Sequence, residues 1–180
     1  MGAWEELDTE ISADVDLSDL ENIANLDDEY GIFEPVQKIA EEMKEQMENG
    51  IKRGISELAK KNRSFQEKWI NKNCKNPSGV LASSIGYQGD DYSIVVGTCL
   101  SHIYPMSIEY GHREIVPIRA KALAFYADSG ELIFRKRVRA TDPSDAKDSG
   151  PFVAPAYDDT EEIAEDIMIY EIAHAGIDWS

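Results

Sequence analysis

The strongest hydrophobic pattern in the chain runs from Pro35 to Asn62, where apolar residues recur at steps of three and four positions. This spacing places them on one face of an α-helix. Pro35 suits the first turn of a helix, where its missing N–H costs nothing. Gly50 and Gly54 each cost a helix about 1 kcal/mol relative to alanine, so we expect a bend or a close approach of another element there. The predicted core stripe consists of Val36, Ile39, Ala40, Met43, Met47, Ile51, Ile55 and Leu58.

Two weaker patterns follow this helix. Residues 64–67, Ser-Phe-Gln-Glu, form a capping box that predicts a second short helix, which ends before the break at residues 77–79, Pro-Ser-Gly. From Gly79 onward the pattern changes to short β-runs. The runs 81–85 and 92–97 flank a turn at Gly89-Asp90-Asp91 and predict a β-hairpin.

A second pair of apolar, aromatic-rich runs spans residues 121–126 and 132–138. The short loop between them contains Gly130, and this arrangement predicts another β-hairpin. The stretch from Pro105 to Tyr110 is too short for a free-standing helix. It predicts one turn that packs on the sheet and ends at Gly111. A final helix is predicted from Ala156 to Ala173, with acids in its first turns, where the helix dipole favours them.

The first 34 residues carry twelve acids and neither lysine nor arginine, and their apolar residues stand singly. A segment with this much charge and so little hydrophobicity does not bury itself alone. Two interpretations stay open: a disordered acidic tail, or an arm that becomes ordered on a neighbouring subunit. The scattered leucines and isoleucines favour the arm. We therefore predict a partly extended acidic arm over residues 1–34 and a folded domain over residues 35–180.

Charge and composition narrow the classes of function. The net charge of −17 disfavours sequence-independent DNA binding, which needs clustered lysine and arginine, although an acidic surface beside DNA would leave the duplex free to slide. No run of about 18 apolar residues predicts a membrane span, and the first residues lack the basic and apolar regions of a secretory signal. Cys74 and Cys99 define no disulfide framework; reduced thiols are favoured and a disulfide stays open.

Reactive chemistry has little support in the sequence. Glu109 and His112 have the i, i+3 spacing of carboxylate-bridged metal sites, but such sites need this pair twice, and it occurs once. Neither a phosphate-binding loop nor a Gly-x-Ser-x-Gly turn is present. With 35 acids in the chain, adjacent acid pairs arise by chance, so none can be assigned to acid–base catalysis. The sequence predicts no catalytic residue, no metal site and no cofactor, and hence no enzyme.

The sequence indicates one basic cluster in the chain, at the end of the second hairpin. Three interpretations stay open: contact with nucleic acid, a solvated strand face, or an acidic protein partner. The first lacks the interleaved aromatic residues of a single-strand platform. The last could be the first 34 residues of this chain or of a neighbour. The candidate interface residues are Trp4, Leu7, Ile11, Leu20, Arg135, Lys136, Arg137 and Arg139.

Five short motifs occur in order between Gly79 and Ala156. They are Gly79-Val80-Leu81 with Ser84-Ile85, then Val96-Gly97, then Tyr104 to Gly111 ending in Ile-Glu-Tyr-Gly, then residues 120–125, Ala-Lys-Ala-Leu-Ala-Phe, and finally residues 151–156, Pro-Phe-Val-Ala-Pro-Ala. In this order they resemble the tail-completion, or neck, proteins of tailed bacteriophages, which join head to tail. The signature residues are Tyr104, Glu109, Tyr110, Gly111, Pro151, Phe152 and Pro155.

The resemblance implies an α+β fold, with a small antiparallel β-sheet or sandwich, one long helix and a C-terminal helix. It implies a virion structural protein, made in the host cytoplasm, that forms a homo-oligomeric ring, expected to be a hexamer, around the DNA channel. Its partners would be its own copies and the adjacent connector and tail proteins; it would use no cofactor and no membrane. Two alternatives stay open: a tail terminator or head-closure component, and a non-viral acidic binding module.

Overall fold

The computed structural model describes residues 8–25, 34–73, 79–100, 103–111, 116–118, 121–126, 132–140 and 150–175. Within these ranges the chain has an α+β fold with one long helix, a C-terminal helix and small antiparallel sheets, which confirms the predicted class. The elements are β1 Thr9–Ser12, α1 Ser18–Ala24, α2 Glu34–Asn73, α3 Val80–Ser83, β2 Ile85–Gly89, β3 Ser93–Thr98, α4 Ile103–Glu109, β4 Leu123–Tyr126, β5 Leu132–Arg135 and α5 Val153–His174.

Helix α2 is a single helix of 40 residues, about 60 Å long at 1.5 Å per residue. The prediction of a new helix at Ser64 is therefore wrong. The Glu67 carboxylate, which would complete a capping box, instead accepts a hydrogen bond from Arg63 Nε at 2.9 Å, one turn away. Gln66 and Ile70 are fully buried four positions apart. The buried face thus continues through residue 64 and holds the helix together.

The chain divides into two compact units, and α2 contributes to both. The first comprises Met1–Thr9, Arg63–Gly86 and Gly97–Asp158; the second comprises Glu10–Asn62, Tyr87–Val96 and Asp159–Ser180. Each unit has its own apolar core. Buried residues of the first include Ile70, Leu81, Ile85, Ile108 and Phe152, and those of the second include Ile51, Ile55, Leu58, Ala59 and Ile94.

Gly50 and Gly54 lie where α2 packs closely against α5, as the sequence predicts. A Cβ atom at Gly50 would stand 2.5 Å from the Ile172 Cα, and one at Gly54 would overlap the Met168 sulfur. The pairing of residue 54 with 168 and of residue 50 with 172 shows that the two helices run antiparallel. Because glycine has no Cβ, the two backbones can approach to a distance that larger residues would prevent.

The first turns of α2 expose part of the predicted core stripe. Ala40 is buried, but Val36, Ile39 and Met43 are 48%, 56% and 47% exposed, so the prediction is wrong at these three positions. Val36 and Met43 precede Gly50 at seven-residue steps, which puts them on the side of α2 that α5 covers. Helix α5 ends at His174, two residues beyond Ile172. That side of α2 therefore continues past the end of its partner helix.

A buried polar pair also joins α2 and α5. The Asn62 side-chain amide donates a hydrogen bond to the Thr160 hydroxyl at 2.9 Å, and both residues are buried. Such a pair favours one register of the two helices, because sliding them would bury an amide without this acceptor.

Replacing Thr160 with valine keeps the shape of the side chain and removes the hydroxyl. We expect the free energy of unfolding to fall by about 1–2 kcal/mol, because a buried donor loses its acceptor. Urea denaturation followed by circular dichroism measures this change. The control is Ser64→Ala on the exposed side of α2. A helix-capping serine would lose about 1 kcal/mol on this change, whereas a mid-helix surface serine should change stability by less than about 0.5 kcal/mol.

The three-stranded sheet has the order β1-β3-β2. The predicted hairpin of β2 and β3 is confirmed, and its turn is closed by Asp90, whose carboxylate accepts hydrogen bonds from the backbone N–H groups of Tyr92 and Ser93. The prediction of β-structure from residue 81 is wrong, because residues 80–83 form a helical turn that starts after Gly79 at a φ of 66°. Glycine reaches this left-handed conformation without strain.

Strand β1 comes from the predicted acidic arm and pairs with β3 of the same chain. The Ser93 hydroxyl donates a hydrogen bond to the Glu10 carboxylate, and the Ala13 N–H donates one to the Tyr92 carbonyl. Helix α1 follows, and its Glu21 lies 2.6 Å from Lys44 of α2. The hydrogen bond that the Lys44 ammonium donates to the Glu21 carboxylate raises the pKa of Lys44. Thus residues of the arm fold on their own chain, while its boundary at residue 34 stays a prediction.

The second hairpin is confirmed as the two-stranded sheet of β4 and β5. The strands are antiparallel, with Leu123 opposite Arg135 and Ala124 opposite Phe134. Helix α4 spans two turns where one was predicted, and Gly111 follows it at a φ of 73°, in the expected helix-ending conformation. Helix α5 begins three residues earlier than predicted. Among the described residues, no helix is both long and apolar enough to cross a membrane.

Candidate functional site

Glu109, at the end of α4, caps the N-terminus of α5. One carboxylate oxygen accepts hydrogen bonds from the backbone N–H groups of Phe152 at 2.6 Å and Val153 at 3.0 Å, and the other accepts one from Ala154 at 3.0 Å. Glu109 is 5% exposed and Phe152 is fully buried. The first N–H groups of a helix have no partner within it and carry partial positive charge. A buried carboxylate supplies both the acceptors and the opposite charge.

This contact joins two motifs that are 43 residues apart in the chain. Glu109 belongs to Ile-Glu-Tyr-Gly, and Phe152 belongs to Pro-Phe-x-x-Pro-Ala. A further hydrogen bond fixes the Pro-Phe-x-x-Pro-Ala motif, because the Asn73 side-chain amide donates to the Pro151 carbonyl at 3.1 Å. The loop before α5 is thus held both by the end of α2 and by the end of α4.

The first motif, which contains Ser84, contacts the residues that directly follow Val96-Gly97. The hydroxyls of Ser84 and Thr98 lie 2.6 Å apart, and the Ser84 carbonyl accepts a hydrogen bond from the Cys99 N–H. Both hydroxyls are buried side chains at the base of the hairpin of β2 and β3. They link the helical turn that begins at Gly79 to the strand that contains Gly97.

Gly97 makes room for Asp8. A Cβ atom at Gly97 would overlap the Asp8 carboxylate. Partial burial raises the pKa of Asp8 above its usual value of 3.8. A carboxyl whose pKa is higher in the folded state destabilises that state when ionised, so this penalty applies at neutral pH and disappears as the pH falls through the folded-state pKa.

The candidate interface residues lie in several places. Ile11 in β1 and Leu20 in α1 are half-buried, and Arg135, Lys136, Arg137 and Arg139 are exposed at the end of β5. Trp4 and Leu7 lie outside the described residues. Of the signature residues not yet placed, Tyr104 lies in α4, Tyr110 is exposed just after it, and Pro155 lies in the first turn of α5.

Helix α2 carries a second basic cluster, which corrects the prediction of a single one. Lys61, Lys68 and Lys72 are exposed and recur at seven- and four-residue steps on one face. The Lys72 ammonium lies 3.9 Å from the centre of the Trp69 ring, and the Lys68 ammonium lies 5.4 Å from that of Phe65. The predicted break after residue 62 had separated these lysines. One continuous helix places them together, and the aromatic rings stabilise the charges of Lys68 and Lys72.

The remaining candidates for chemistry are placed as follows. His174 contacts the Tyr170 carbonyl through Nδ1 at 2.7 Å, and its ring stacks on that of Tyr170. His102, His112 and Cys74 lie outside the described residues, and Cys99 has a free, exposed thiol. Nowhere in the described part of the chain do three or more His, Cys, Asp or Glu residues come together as a metal site.

A shallow surface pocket of about 300 Å³ lies on the second unit. Both acidic and basic side chains line it, and Lys60 and Glu57 form an ion pair across one turn of α2. Because it opens widely to solvent, we assign it no ligand. Its lining residues are Lys52, Arg53, Ser56, Glu57, Lys60 and Glu171.

Comparison with known proteins gives no match. No protein-family model matches the chain, and no characterised protein or solved structure matches it either.

Proposed function

We propose that this protein is a virion structural protein of the head–tail junction of a tailed bacteriophage, a neck or tail-completion protein. It would form a homo-oligomeric ring around the DNA channel and join the connector to the tail. The proposal rests on the ordered series of five motifs and on one observation, the contact of Glu109 with residues 152–154. Two of the motifs meet there, so they serve one structural purpose.

The chemistry of this contact supports a structural role for the motif residues. Both oxygens of the Glu109 carboxylate already accept backbone hydrogen bonds. A general base needs a lone pair directed at its substrate, and this carboxylate directs its oxygens at a helix terminus. The paired hydroxyls of Ser84 and Thr98 are likewise buried. These side chains hold segments of the protein to one another.

The net charge of −17 supports the proposed position beside DNA. An acidic surface repels phosphates at long range, so a ring with this charge would let the duplex pass without holding it. The ring would then contribute assembly surfaces and leave DNA binding to other components. A non-viral acidic binding module would have the same charge, and it differs in that it would not be part of a virion.

The proposal predicts that the purified protein assembles without any partner. Light scattering coupled to size-exclusion chromatography should give a mass several times the 20.2 kDa of the chain, with six copies expected, and negative-stain images should show rings with a central hole. Mass spectrometry of purified virions should detect the chain. A protein that remains a single chain at millimolar concentration and is absent from virions would overturn the proposal.

A further inference from the structure

Two exposed apolar surfaces lie on different parts of this chain, one beside acidic residues and the other beside basic residues. The first, which we call the helix face, consists of Val36, Ile39 and Met43 on α2, beyond the end of α5. The second, which we call the hairpin face, consists of Ala124, Leu132 and Phe134 on the two-stranded sheet. Large apolar residues that stand together on a surface indicate an interaction site.

The helix face has acidic surroundings. The exposed carboxylate of Glu42 lies beside it and pairs with Lys38, one turn away, at 3.9 Å. On its other side Lys44 is held by Glu21 of α1 at 2.6 Å and by Glu48 at 3.9 Å, which neutralises that lysine. Residues 34–50 contain five acids and two lysines. A partner for this face would therefore carry apolar side chains and positive charge.

The hairpin face has those properties. Leu132 and Phe134 are alternate residues of β5 and so point to one side of the sheet, where they are 45% and 61% exposed. Ala124 lies opposite Phe134 on the same side. Arg135 alternates to the other side of the strand, but the exposed side chains of Lys136 and Arg139 come soon after the end of β5. A two-stranded sheet alone is marginally stable in water, so covering this face would also stabilise the hairpin.

We propose that the hairpin face of one copy docks on the helix face of the next copy. This inference rests on the proposed ring and names its subunit contact. The two faces differ in shape and in sign of charge, so a pair of identical faces would oppose acid to acid or base to base. A contact between unlike faces is head-to-tail, and it forms a closed ring when the rotation between neighbours divides a full turn.

Two single substitutions separate the faces. Ile39→Asp places a charge in the helix face, and Phe134→Asp does so in the hairpin face; both residues are exposed, so each variant should fold, as circular dichroism will show. Each variant alone should remain a single chain under conditions in which the unchanged protein forms rings. An equimolar mixture should form a heterodimer, because one variant keeps its hairpin face and the other keeps its helix face. The control Ile169→Asp, at a residue 59% exposed on α5, should assemble like the unchanged protein.

Charge reversal within this heterodimer tests the electrostatic part of the inference. Adding Lys136→Glu to the Ile39→Asp variant should weaken heterodimer formation roughly tenfold, because like charges then oppose each other. Adding Glu42→Lys to the Phe134→Asp variant should weaken it similarly. Combining both reversals should restore most of the affinity. If either aspartate variant fails to fold, serine at the same position replaces it.

The outcomes distinguish this inference from the proposed function. Rings that form normally from both aspartate variants would overturn the head-to-tail contact and leave the ring proposal standing. Variants that stay single even when mixed would also overturn it, in favour of a contact between identical faces or with another protein. An unchanged protein that never assembles would overturn the contact between copies, and its absence from virions as well would overturn the proposed function.

Discussion

Replacing Glu109 with alanine is expected to lower the free energy of unfolding by about 3 kcal/mol. The change leaves the N–H groups of Phe152, Val153 and Ala154 without their acceptor. Each unsatisfied buried donor costs about 1–3 kcal/mol, although water will reach some of them once the side chain is gone. The favourable interaction between the carboxylate and the helix dipole is lost as well. In a chain of this size the melting temperature should fall by about 10 °C.

Two further variants serve as comparisons for Glu109→Ala. Glu109→Gln keeps the shape and one acceptor oxygen, so its cost should lie between those of the unchanged protein and the alanine variant. Glu165→Ala removes an exposed glutamate in the middle of α5 and should change stability by less than about 0.5 kcal/mol. Equal stabilities for Glu109→Ala and Glu165→Ala would contradict the cap. Urea denaturation monitored by circular dichroism compares all three.

Replacing Gly50 with alanine should cost about 2–3 kcal/mol, although alanine is the better helix former by about 1 kcal/mol. The new methyl group would stand 2.5 Å from the Ile172 Cα and 3.0 Å from its backbone nitrogen. Backbone atoms cannot rotate away as a side chain can, so α2 and α5 must separate. Overpacking of this kind typically costs 1–3 kcal/mol, and here the separation also loosens neighbouring contacts.

Gly54→Ala is the matched comparison on the same helix. Its methyl group would meet the Met168 sulfur, at the far end of a flexible side chain. Methionine adapts readily to a changed space, and the gain in helix propensity offsets part of the cost. We expect a loss below about 1 kcal/mol. Equal effects at both glycines would contradict the close approach of the two backbones at residue 50.

Local patterns in the sequence predict most elements and the two hairpin pairings, but not which elements pack on α2. The periodicity from Val36 to Leu58 identifies one face of α2 and finds Ala40, Ile51 and Ile55 in the core. It gives no information about where the covering helix ends. For this reason it wrongly places Val36, Ile39 and Met43 in the core. The sequence of α2 sets how far its apolar face extends, whereas the length of α5 sets how much of that face is buried.

The errors near residue 64 have a similar cause. The four residues from Ser64 to Glu67 satisfy the rule for a helix start, but the same rule is met inside a helix whenever these residue types recur by chance. Burial of Gln66 and Ile70 outweighs that local signal. A continuous helix then brings Lys61 and Lys68 onto one face, which no interpretation with a break could predict.

Glu109 shows what spacing along the chain can and cannot give. Its place in Ile-Glu-Tyr-Gly marks it as a signature residue, and its spacing from His112 matches that of metal ligands without predicting a metal site. Its partners are main-chain groups more than forty residues away, which no local spacing reveals. The helix cap became visible only with the fold.

The hydrogen bonds between Glu109 and α5 do not depend on which side chains stand at positions 153 and 154. Those positions offer only their amide hydrogens, which every amino acid except proline possesses. Substitutions at these two positions therefore leave the cap of α5 intact, provided that the new residue is not proline. Position 109 has no such latitude, because only an acidic side chain of suitable reach brings two anionic oxygens to three amides at once.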